Sequence, residues 1–323
     1  MESVRWGILG AAKFALTDMA PAIHAARGAE LVALATSSPE KAAPFQAFAP
    51  GVRVVGYDAL LADPEVDAVY IPLPNHLHVD WTLKALAAGK HVLCEKPLAM
   101  EAGDFDRVIA ARNKAGRLAA EAYMILHHPQ WQHIRNLIED KAIGRLRHVQ
   151  ALFAYNNASD TGNIRNDAAK GGGGIPDIGV YIYGSTRFAT GQEPEEIVSA
   201  RIEWENGVDV VANVSAQFQG FTAQWLTSMR MHRHQEMTFL GEDGVIRLNA
   251  PFRPLTFTEP KVELRRGDAF EVWRYPAINQ YVRQVEAFCR SVREGTDYPC
   301  PLEFSKGTQV VIDRVFEKAR ETG

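Results

Sequence analysis

Short apolar runs alternate with segments of helical character through the first 124 residues. The runs are rich in Val, Ile, Leu and Ala, which is typical of buried strands. They cover residues 4–9, 31–36, 52–55, 67–71, 91–94 and 118–123. Helical segments at 39–48, 75–88 and 101–115 lie between them. Strands that alternate with helices predict a parallel, doubly wound sheet.

The pattern changes to a period of two after a helix predicted at 129–141. Apolar and polar residues alternate over 198–204, 208–218 and 223–229, so each of these strands should bury one face in an antiparallel sheet. In 208–218 this places Asp209 on the exposed face. Helices at 278–293 and 305–320 end the chain. The fold class is therefore α/β, and the predicted domains are residues 1–124 and 125–323.

Composition narrows the class of protein. The 323 residues are 46% hydrophobic and 23% charged, with a net charge of −4, which favours a globular protein and gives no reason to expect nucleic acid as a partner. No apolar run is long enough to span a membrane, and strand-like sequence begins at once, so we expect a cytoplasmic protein without a signal peptide. Cys94, Cys289 and Cys300 lie far apart and form neither a metal spacing nor a disulfide framework.

The first strand leads into Gly10-Ala11-Ala12-Lys13-Phe14-Ala15, close to the dinucleotide fingerprint G-x-G-x-x-G/A. Gly10 would form the tight turn, and the backbone at Ala12 would approach a pyrophosphate at the start of the helix. Ala12 stands at the position of the middle glycine, and an ordinary strand–turn–helix remains the alternative.

Cofactor choice should be decided after the second strand, where the ribose of adenosine is recognised. The chain has Thr36-Ser37-Ser38 there, followed by Lys41. We expect no carboxylate there to repel a 2′-phosphate, and hydroxyls with one lysine could hold it. This pattern favours NADP, with NAD as the alternative.

The fourth strand ends in Pro72-Leu73-Pro74-Asn75, a loop placed where the ribose and nicotinamide would pass. Asn75 is predicted to cap the next helix. His76 and His78 lack a cysteine or carboxylate partner in this loop, so we predict no metal site.

The fifth strand stops at Glu95-Lys96-Pro97. Proline disfavours the helical conformation of the preceding residue, so Lys96 is held extended at the carboxyl end of the strand, where open α/β sheets bind ligands. Lys96 is therefore a candidate catalytic group, with a surface charge beside a turn as the alternative. We also expect a cis peptide between Lys96 and Pro97.

A run of four glycines, 171–174, precedes Ile175-Pro176-Asp177 in the second half. Pro176 suits the first turn of a helix, which places Asp177 and Tyr181 one turn apart on one face. A carboxylate over a phenol can relay or orient a proton. The alternative is an N-terminal aspartate beside a core tyrosine.

Together these motifs resemble the Gfo/Idh/MocA oxidoreductases, and within them the branch of D-xylose dehydrogenases and dimeric dihydrodiol dehydrogenases. The resemblance covers the whole chain. The matching segments are Trp6-Gly7-Ile8-Leu9-Gly10, Pro74-Asn75-His76-Leu77-His78, residues 88–97, Glu121-Ala122-Tyr123-Met124, Asn163-Ile164-Arg165, residues 171–181 and residues 281–288.

The resemblance implies a Rossmann domain, an α/β domain with a large, open, mostly antiparallel sheet, and hydride transfer between NAD(P) and a sugar or related compound. It implies Lys96 as the active-site lysine, with Asp177 and Tyr181 as partners, Glu95 near the nicotinamide ribose, and Arg165 near cofactor or substrate. Whether Tyr181 or Lys96 is the acid/base stays open. Three departures are Ala12 for glycine, Ser37 where NADP-using relatives often have arginine, and Tyr181 where other branches carry histidine.

The predicted cofactor contacts combine these segments. They are Gly10, Ala12, Lys13, Phe14, Ser37, Ser38, Lys41, Pro72, Leu73, Asn75, His78, Glu95, Lys96 and Arg165. The predicted catalytic residues are Lys96, Asp177 and Tyr181. A non-catalytic dinucleotide-binding sensor is the alternative function. An uncovered apolar face of the open sheet would favour a homodimer.

Overall fold

The computed structural model describes residues 3–254 and 256–322, which form two compact units. Within the described ranges, the first unit comprises residues 3–127 and 279–306, and the second comprises 128–278 and 307–322. The predicted domain limits, 1–124 and 125–323, treat the chain as two continuous segments, whereas the first unit also contains residues 279–306.

Parallel strands form the sheet of the first unit. They are β1 (Val4–Leu9), β2 (Ala29–Ala35), β3 (Arg53–Val55), β4 (Ala68–Ile71), β5 (His91–Cys94) and β6 (Ala119–Glu121). The sheet of the second unit contains β7 (Leu146–Asn156), β8 (Glu196–Glu205), β9 (Val208–Phe218), β10 (Phe221–Ser228), β11 (Arg230–Gly241), β12 (Val245–Leu248), β13 (Lys261–Arg266) and β14 (Ala269–Arg274).

The α-helices lie between and after these strands. They are α1 (Ala20–Ala25), α2 (Pro39–Phe48), α3 (Tyr57–Ala62), α4 (His78–Ala87), α5 (Ala102–Ala115), α6 (Pro129–Glu139), α7 (Val180–Thr190), α8 (Gln280–Glu294) and α9 (Leu302–Thr322). Five-residue π-helical turns, Ala15–Met19 and Ile175–Gly179, lead into α1 and α7. Among the described residues, no helix combines the length and apolar character needed to cross a bilayer.

The first sheet has the order β3-β2-β1-β4-β5-β6, with parallel neighbours throughout. This is the doubly wound order: β2 and β3 are added on one side of β1, and β4, β5 and β6 on the other, so the order reverses between β1 and β4. Its central strands are buried, as expected for a sheet with helices on both faces, and Trp6, Ile8 and Leu9 of β1 are fully enclosed, whereas the edge strand β3 is partly exposed. The predicted Rossmann sheet is confirmed.

The second sheet has the order β14-β13-β12-β11-β7-β10-β9-β8. Its neighbours are antiparallel except for the parallel pair β7 and β10. The buried face carries the apolar positions of the period-two pattern, including Val214, Trp225 and Phe239. The predicted large, mostly antiparallel sheet is therefore confirmed.

In β8, buried and exposed side chains do not alternate as the sequence pattern predicted. Val198 is 49% exposed and Trp204 54% exposed, although the pattern placed both on the buried face. The register of β8 against β9 shifts between Ile197 and Ser199 and again between Glu203 and Trp204. At the first shift Val198 is the extra residue, so the β8 side chains after it change face, because successive strand residues alternate faces; at the second shift the extra residue is Val210 of β9.

Asp209 was also predicted on the wrong face. It is 1% exposed, between two buried valines at 208 and 210. The open face of this sheet is mainly polar rather than apolar, which corrects the reason given for a dimer. Cross-strand neighbours on that face are Gln150, Leu152, Asn213, Ser215, Gln224, Leu226, Glu236 and Thr238.

Candidate active site

The turn after β1 has the geometry that a dinucleotide requires. Gly10 has φ +123°, and a Cβ added there would lie 2.9 Å from Leu73 Cδ2, so glycine is needed both for conformation and for space. The Ala12 N–H donates to the Gly10 carbonyl, 3.0 Å away, and helical structure follows. Lys13 is exposed at the start of that helix, while Phe14 packs edge-on against Tyr281 with ring centroids 5.6 Å apart. The residues present therefore fit a pyrophosphate.

The end of β2 carries one group that the sequence reasoning missed. The Ser38 hydroxyl donates to Glu40 Oε2 at 2.6 Å, and this hydrogen bond lowers the pKa of Glu40. A carboxylate therefore lies beside the hydroxyls assigned to a 2′-phosphate, contrary to our expectation. Ser37 and Lys41 are exposed at the same strand end. Glu40 lies between Ser38 and Lys41, on which the prediction rested, and was overlooked there.

The loop after β4 leads into a 3₁₀ turn, Asn75–Leu77, before α4 begins at His78. Asn75 is thus inside the helical turn, and the prediction that it caps the helix is wrong. His78 is fully buried, with Nδ1 2.7 Å from the Pro97 carbonyl and Nε2 2.6 Å from the Leu73 carbonyl. Its ring joins the 72–75 loop to the turn after β5. Burial lowers the pKa of His78 to about 4.

Glu95 and Lys96 follow β5 directly. The phenol of Tyr70, on the neighbouring strand β4, donates to Glu95 Oε1 at 2.6 Å. Burial raises the pKa of Tyr70 well above its ordinary value, and the Glu95 carboxylate adds to this. Lys96 is half-buried, and the Lys96–Pro97 peptide is cis, as expected. Tyr70 therefore fixes the orientation of a carboxylate adjacent to the candidate lysine.

Glu121, at the end of β6, is a second carboxylate near this turn. It is 2% exposed, and its Oε1 accepts from the Leu98 N–H at 2.8 Å. Burial raises the pKa of Glu121, whereas hydrogen bonds from Leu98 and Ser305 and the charge of Lys96 oppose that rise. Glu121 thus holds the turn that contains Lys96 and lies in the field of its ammonium group.

The second unit gathers its candidate residues around Asp177. This carboxylate accepts from the Tyr155 phenol at 2.7 Å and forms an ion pair with Arg165 Nε at 2.7 Å, through the same oxygen, Oδ2. Burial and the Asp177 charge raise the pKa of Tyr155 above its ordinary value. Arg165 is 41% exposed, while Asp177 is 13% exposed. The arrangement makes Asp177 an acceptor held between two donors.

Tyr181 lies one residue into α7 and is 6% exposed. Its ring packs against Phe153, with centroids 6.1 Å apart, and stacks on Phe252 at 6.2 Å. Two aromatic neighbours leave the phenol few orientations, which suits a group that must present one oxygen to a substrate.

The structure brings some of the predicted residues together within each unit. Glu95 and Lys96 meet His78 and Leu73 through the Pro97 turn, and Arg165 pairs with Asp177. Sequence reasoning missed the polar groups that hold them, namely Tyr70, Glu121, Tyr155 and Asp209. One signal was available, because each is a polar or phenolic residue inside an otherwise apolar strand.

Known protein families were compared with this chain. Residues 4–123 match the profile described as an oxidoreductase family with an NAD-binding Rossmann fold. Residues 131–247 match that of the GFO/IDH/MocA C-terminal domain. The chain belongs to the Gfo/Idh/MocA oxidoreductase family.

Individual relatives cover nearly all of the chain. A dTDP-3,4-didehydro-2,6-dideoxy-α-D-glucose 3-reductase from Actinomadura kijaniata is 34% identical over 98% of this chain and 96% of its own. The crystal structure of KijD10, a 3-ketoreductase from the same organism, in complex with NADP and TDP-benzene, superimposes with a TM-score of 0.91 at 33% identity, covering 98% of each chain. A D-xylose 1-dehydrogenase (NADP(+)) from Haloferax volcanii is 31% identical over 98% of both chains.

Family membership defines the type of reaction. The protein is an oxidoreductase that acts on a CH–OH or carbonyl group, and its cofactor is NADP or NAD. It transfers a hydride between the nicotinamide and a sugar or related hydroxy or carbonyl compound.

Proposed function

We propose that this enzyme reduces a keto group of a sugar carried on a nucleoside diphosphate, with Tyr181 as proton donor and Lys96 and Asp177 as its partners. Similarity to the Actinomadura reductase over both family domains supports this substrate class over a free aldose. The proposal for the residues rests on the contacts of Asp177 with Tyr155 and Arg165.

Those contacts separate the roles of the three candidates. A carboxylate that accepts from a phenol and pairs with a guanidinium is stabilised as an anion, so Asp177 is an acceptor and not the proton donor. Tyr181 can give a proton to the oxygen that gains charge as the carbonyl is reduced. Lys96 stabilises that negative charge and favours the ionised phenol. Asp177 orients the substrate hydroxyl next to the reacting carbon.

Residues of the first unit would hold the cofactor. Gly10, Ala12, Lys13 and Phe14 lie at the pyrophosphate position, and Ser37, Ser38 and Lys41 at the adenosine ribose. Pro72, Leu73, Asn75 and Glu95 would contact the nicotinamide ribose, with His78 supporting their loop and Arg165 contributing from the second unit. When bound, the nicotinamide supplies or takes the hydride.

Kinetics of Tyr181→Phe and Lys96→Met test the roles. Loss of general acid catalysis should lower kcat by about 10²–10⁴-fold in Tyr181→Phe, with the affinity for NADPH unchanged. A normal kcat in Tyr181→Phe combined with an inactive Lys96→Met would transfer the acid role to lysine. The substrate panel should contain dTDP-linked keto sugars and free aldoses. Tight NADPH binding without turnover on any of them would favour a sensor.

Cofactor preference should depend on Glu40. We propose that NADP is the cofactor, held by Ser37, Ser38 and Lys41. The Glu40 carboxylate on Ser38 opposes a 2′-phosphate by like charge. Glu40→Gln should therefore raise the affinity for NADPH and leave that for NADH unchanged. Equal changes for both cofactors would show that Glu40 does not lie near the 2′ position.

We propose a homodimer formed through the open face of the second sheet. Its amide and hydroxyl side chains can pair with the same patch on a second copy across a twofold axis. A depression of about 210 Å³ on this face is lined by Gln150, Asn213 and Gln224 among others. Gln224→Lys would bring like charges together in a dimer, and sedimentation should then show monomers. A monomeric wild type would refute the dimer.

A cytoplasmic location is proposed as well. Cys94, Cys289 and Cys300 are buried and form no disulfide with one another. Cysteines without disulfides are typical of a reducing compartment. Fractionation of the producing cells would test this location.

A further inference from the structure

Asp209 is a buried carboxylate that the proposed reaction does not use. It lies on β9 and is 1% exposed, with buried valines on either side. Burying a charged group is costly unless it is hydrogen-bonded, so its environment should reveal what it does. Burial is the main reason that the pKa of Asp209 rises to about 7, and the nearby Asp177 charge adds to it.

Backbone N–H groups surround the Asp209 carboxylate. The Ile175 N–H donates to Oδ2 at 2.6 Å, and a hydrogen bond from Gly174 also stabilises the charged form. Ile175 begins the π-helical turn that leads into α7. A carboxylate at the amino-terminal end of a helix is stabilised by the unpaired N–H groups there.

The glycine run gives this carboxylate its space. A Cβ on Gly173 would overlap Oδ1 of Asp209, and a Cβ on Gly174 would lie 3.2 Å from Oδ2. A Cβ on Gly172 would lie 2.5 Å from the Arg165 carbonyl, to which the Gly173 N–H donates at 3.0 Å. The run is therefore packed between the Arg165 backbone and the Asp209 side chain, and its lack of side chains is a packing requirement.

The same backbone carries the candidate catalytic groups. The Asp177 N–H donates to the Gly173 carbonyl at 3.2 Å, and Tyr181 follows one turn later. We propose that Asp209 is a positioning residue, whose carboxylate fixes the glycine run and the start of the helical segment so that Asp177 and Tyr181 are held in their working positions. This inference rests on the proposed roles of those two residues.

Groups on several elements face Asp209. Asp177 acts from the π-helical turn, Tyr155 from β7 and Tyr183 from α7, and each is coupled electrostatically to it. The negative charge of Asp177 disfavours ionisation of Asp209, while the backbone N–H groups favour it. The ionised carboxylate holds those N–H groups best, so Asp177 and Tyr181 should be held less firmly as the pH falls below about 7.

The test compares Asp209→Asn with the exposed control Asp268→Asn. In Asp209→Asn the NH₂ group of the amide, a donor, would face backbone N–H groups that are also donors. The glycine run and the start of the helical segment should therefore shift. A misplacement of this kind should lower kcat by about 10- to 100-fold. The dissociation constant for NADPH should change much less than kcat, because most of the proposed cofactor contacts, including the dinucleotide turn, belong to the first unit. The step in the wild-type kcat profile near pH 7 should disappear in Asp209→Asn and persist in the control.

A second variant tests the contact itself. Gly174 has an ordinary φ of −72°, so Gly174→Ala perturbs the Asp209 carboxylate without backbone strain. It should lower kcat in the wild-type background and have a smaller effect in an Asp209→Ala background. This variant also serves if Asp209→Asn fails to fold.

The outcomes separate this inference from the proposed function. Wild-type kcat and an unchanged pH profile in Asp209→Asn, or equal effects of Gly174→Ala in both backgrounds, would overturn the positioning role. If Tyr181→Phe keeps full activity, the proposed catalytic roles fail, whatever Asp209 does.

Discussion

Asp209→Asn should gain stability relative to wild type as the pH rises, while it makes the enzyme slower. The pKa of this carboxyl rises from 3.8 to about 7 in the folded protein because it is buried. A folded-state pKa above the unfolded value means that the folded state binds the proton more tightly. The stability from this group is therefore full below pH 3.8 and is lost as the pH rises through 7.

The magnitude follows from the shift. About 3 pKa units at 1.36 kcal/mol each cost about 4 kcal/mol above pH 7, once the carboxylate is fully ionised. Asparagine does not titrate, so the stability of Asp209→Asn relative to wild type should increase by about 2–3 kcal/mol between pH 5 and pH 8. The sign of this change in relative stability matters more than its size. A residue kept only for stability would not lower the stability of the protein by ionising above pH 7.

Amide hydrogen exchange measures this change within the second unit. Urea-dependent exchange of peptides from β9 and α7, at pH 5 and pH 8, gives their free energies of opening for wild type, Asp209→Asn and Asp268→Asn. The control should follow the wild type at both values. A difference between Asp209→Asn and wild type that is the same at pH 5 and pH 8 would refute the argument, since it would show that Asp209 does not titrate in this range.

Three further predictions concern stability. Burial lowers the pKa of His127 to about 3, so the stability that the neutral ring contributes above pH 6.5 is lost as the pH falls. Between pH 7.5 and pH 4.5, the free energy of unfolding in urea should fall by about 2–3 kcal/mol more for wild type than for His127→Gln. The control His24→Gln, at an exposed histidine, should follow wild type. Phe252→Ala should cost about 3–5 kcal/mol in the same assay, because the ring is fully buried among aromatic neighbours, and a loss below 1 kcal/mol would contradict this. Gly307→Ala should cost about 1–3 kcal/mol, because its Cβ would overlap the buried Arg187 guanidinium; an unchanged melting temperature would show that Arg187 moves freely.

Local signals were enough to find the first sheet and its ligand-binding edge. The apolar runs, the glycine at the β1 turn and the proline after Lys96 each act within a few residues, so the sequence displays them directly. Parallel strands joined by helices allow few arrangements, and the dinucleotide turn follows from their order. The lysine at the end of β5 and the Asp177–Tyr181 spacing were visible for the same reason.

Contacts between distant residues decided the rest. Asp209 meets Ile175 across 34 positions of the chain, and Tyr155 meets Asp177 across 22. Neither partner is implied by periodicity, which gives the face of a strand and not what packs on it. The bulges at Val198 in β8 and Val210 in β9, and the parallel pairing of β7 with β10, also depend on hydrogen bonds between separate strands.

The glycine run shows the division most directly. The sequence alone determined that residues 171–174 needed conformational freedom or space before a helix, because four glycines are costly in entropy. Only the tertiary structure showed what occupies that space, namely the Asp209 carboxylate and the Arg165 backbone. The physical reason is that a missing side chain records a close approach but not the identity of the group that approaches, which depends on how distant strands pair.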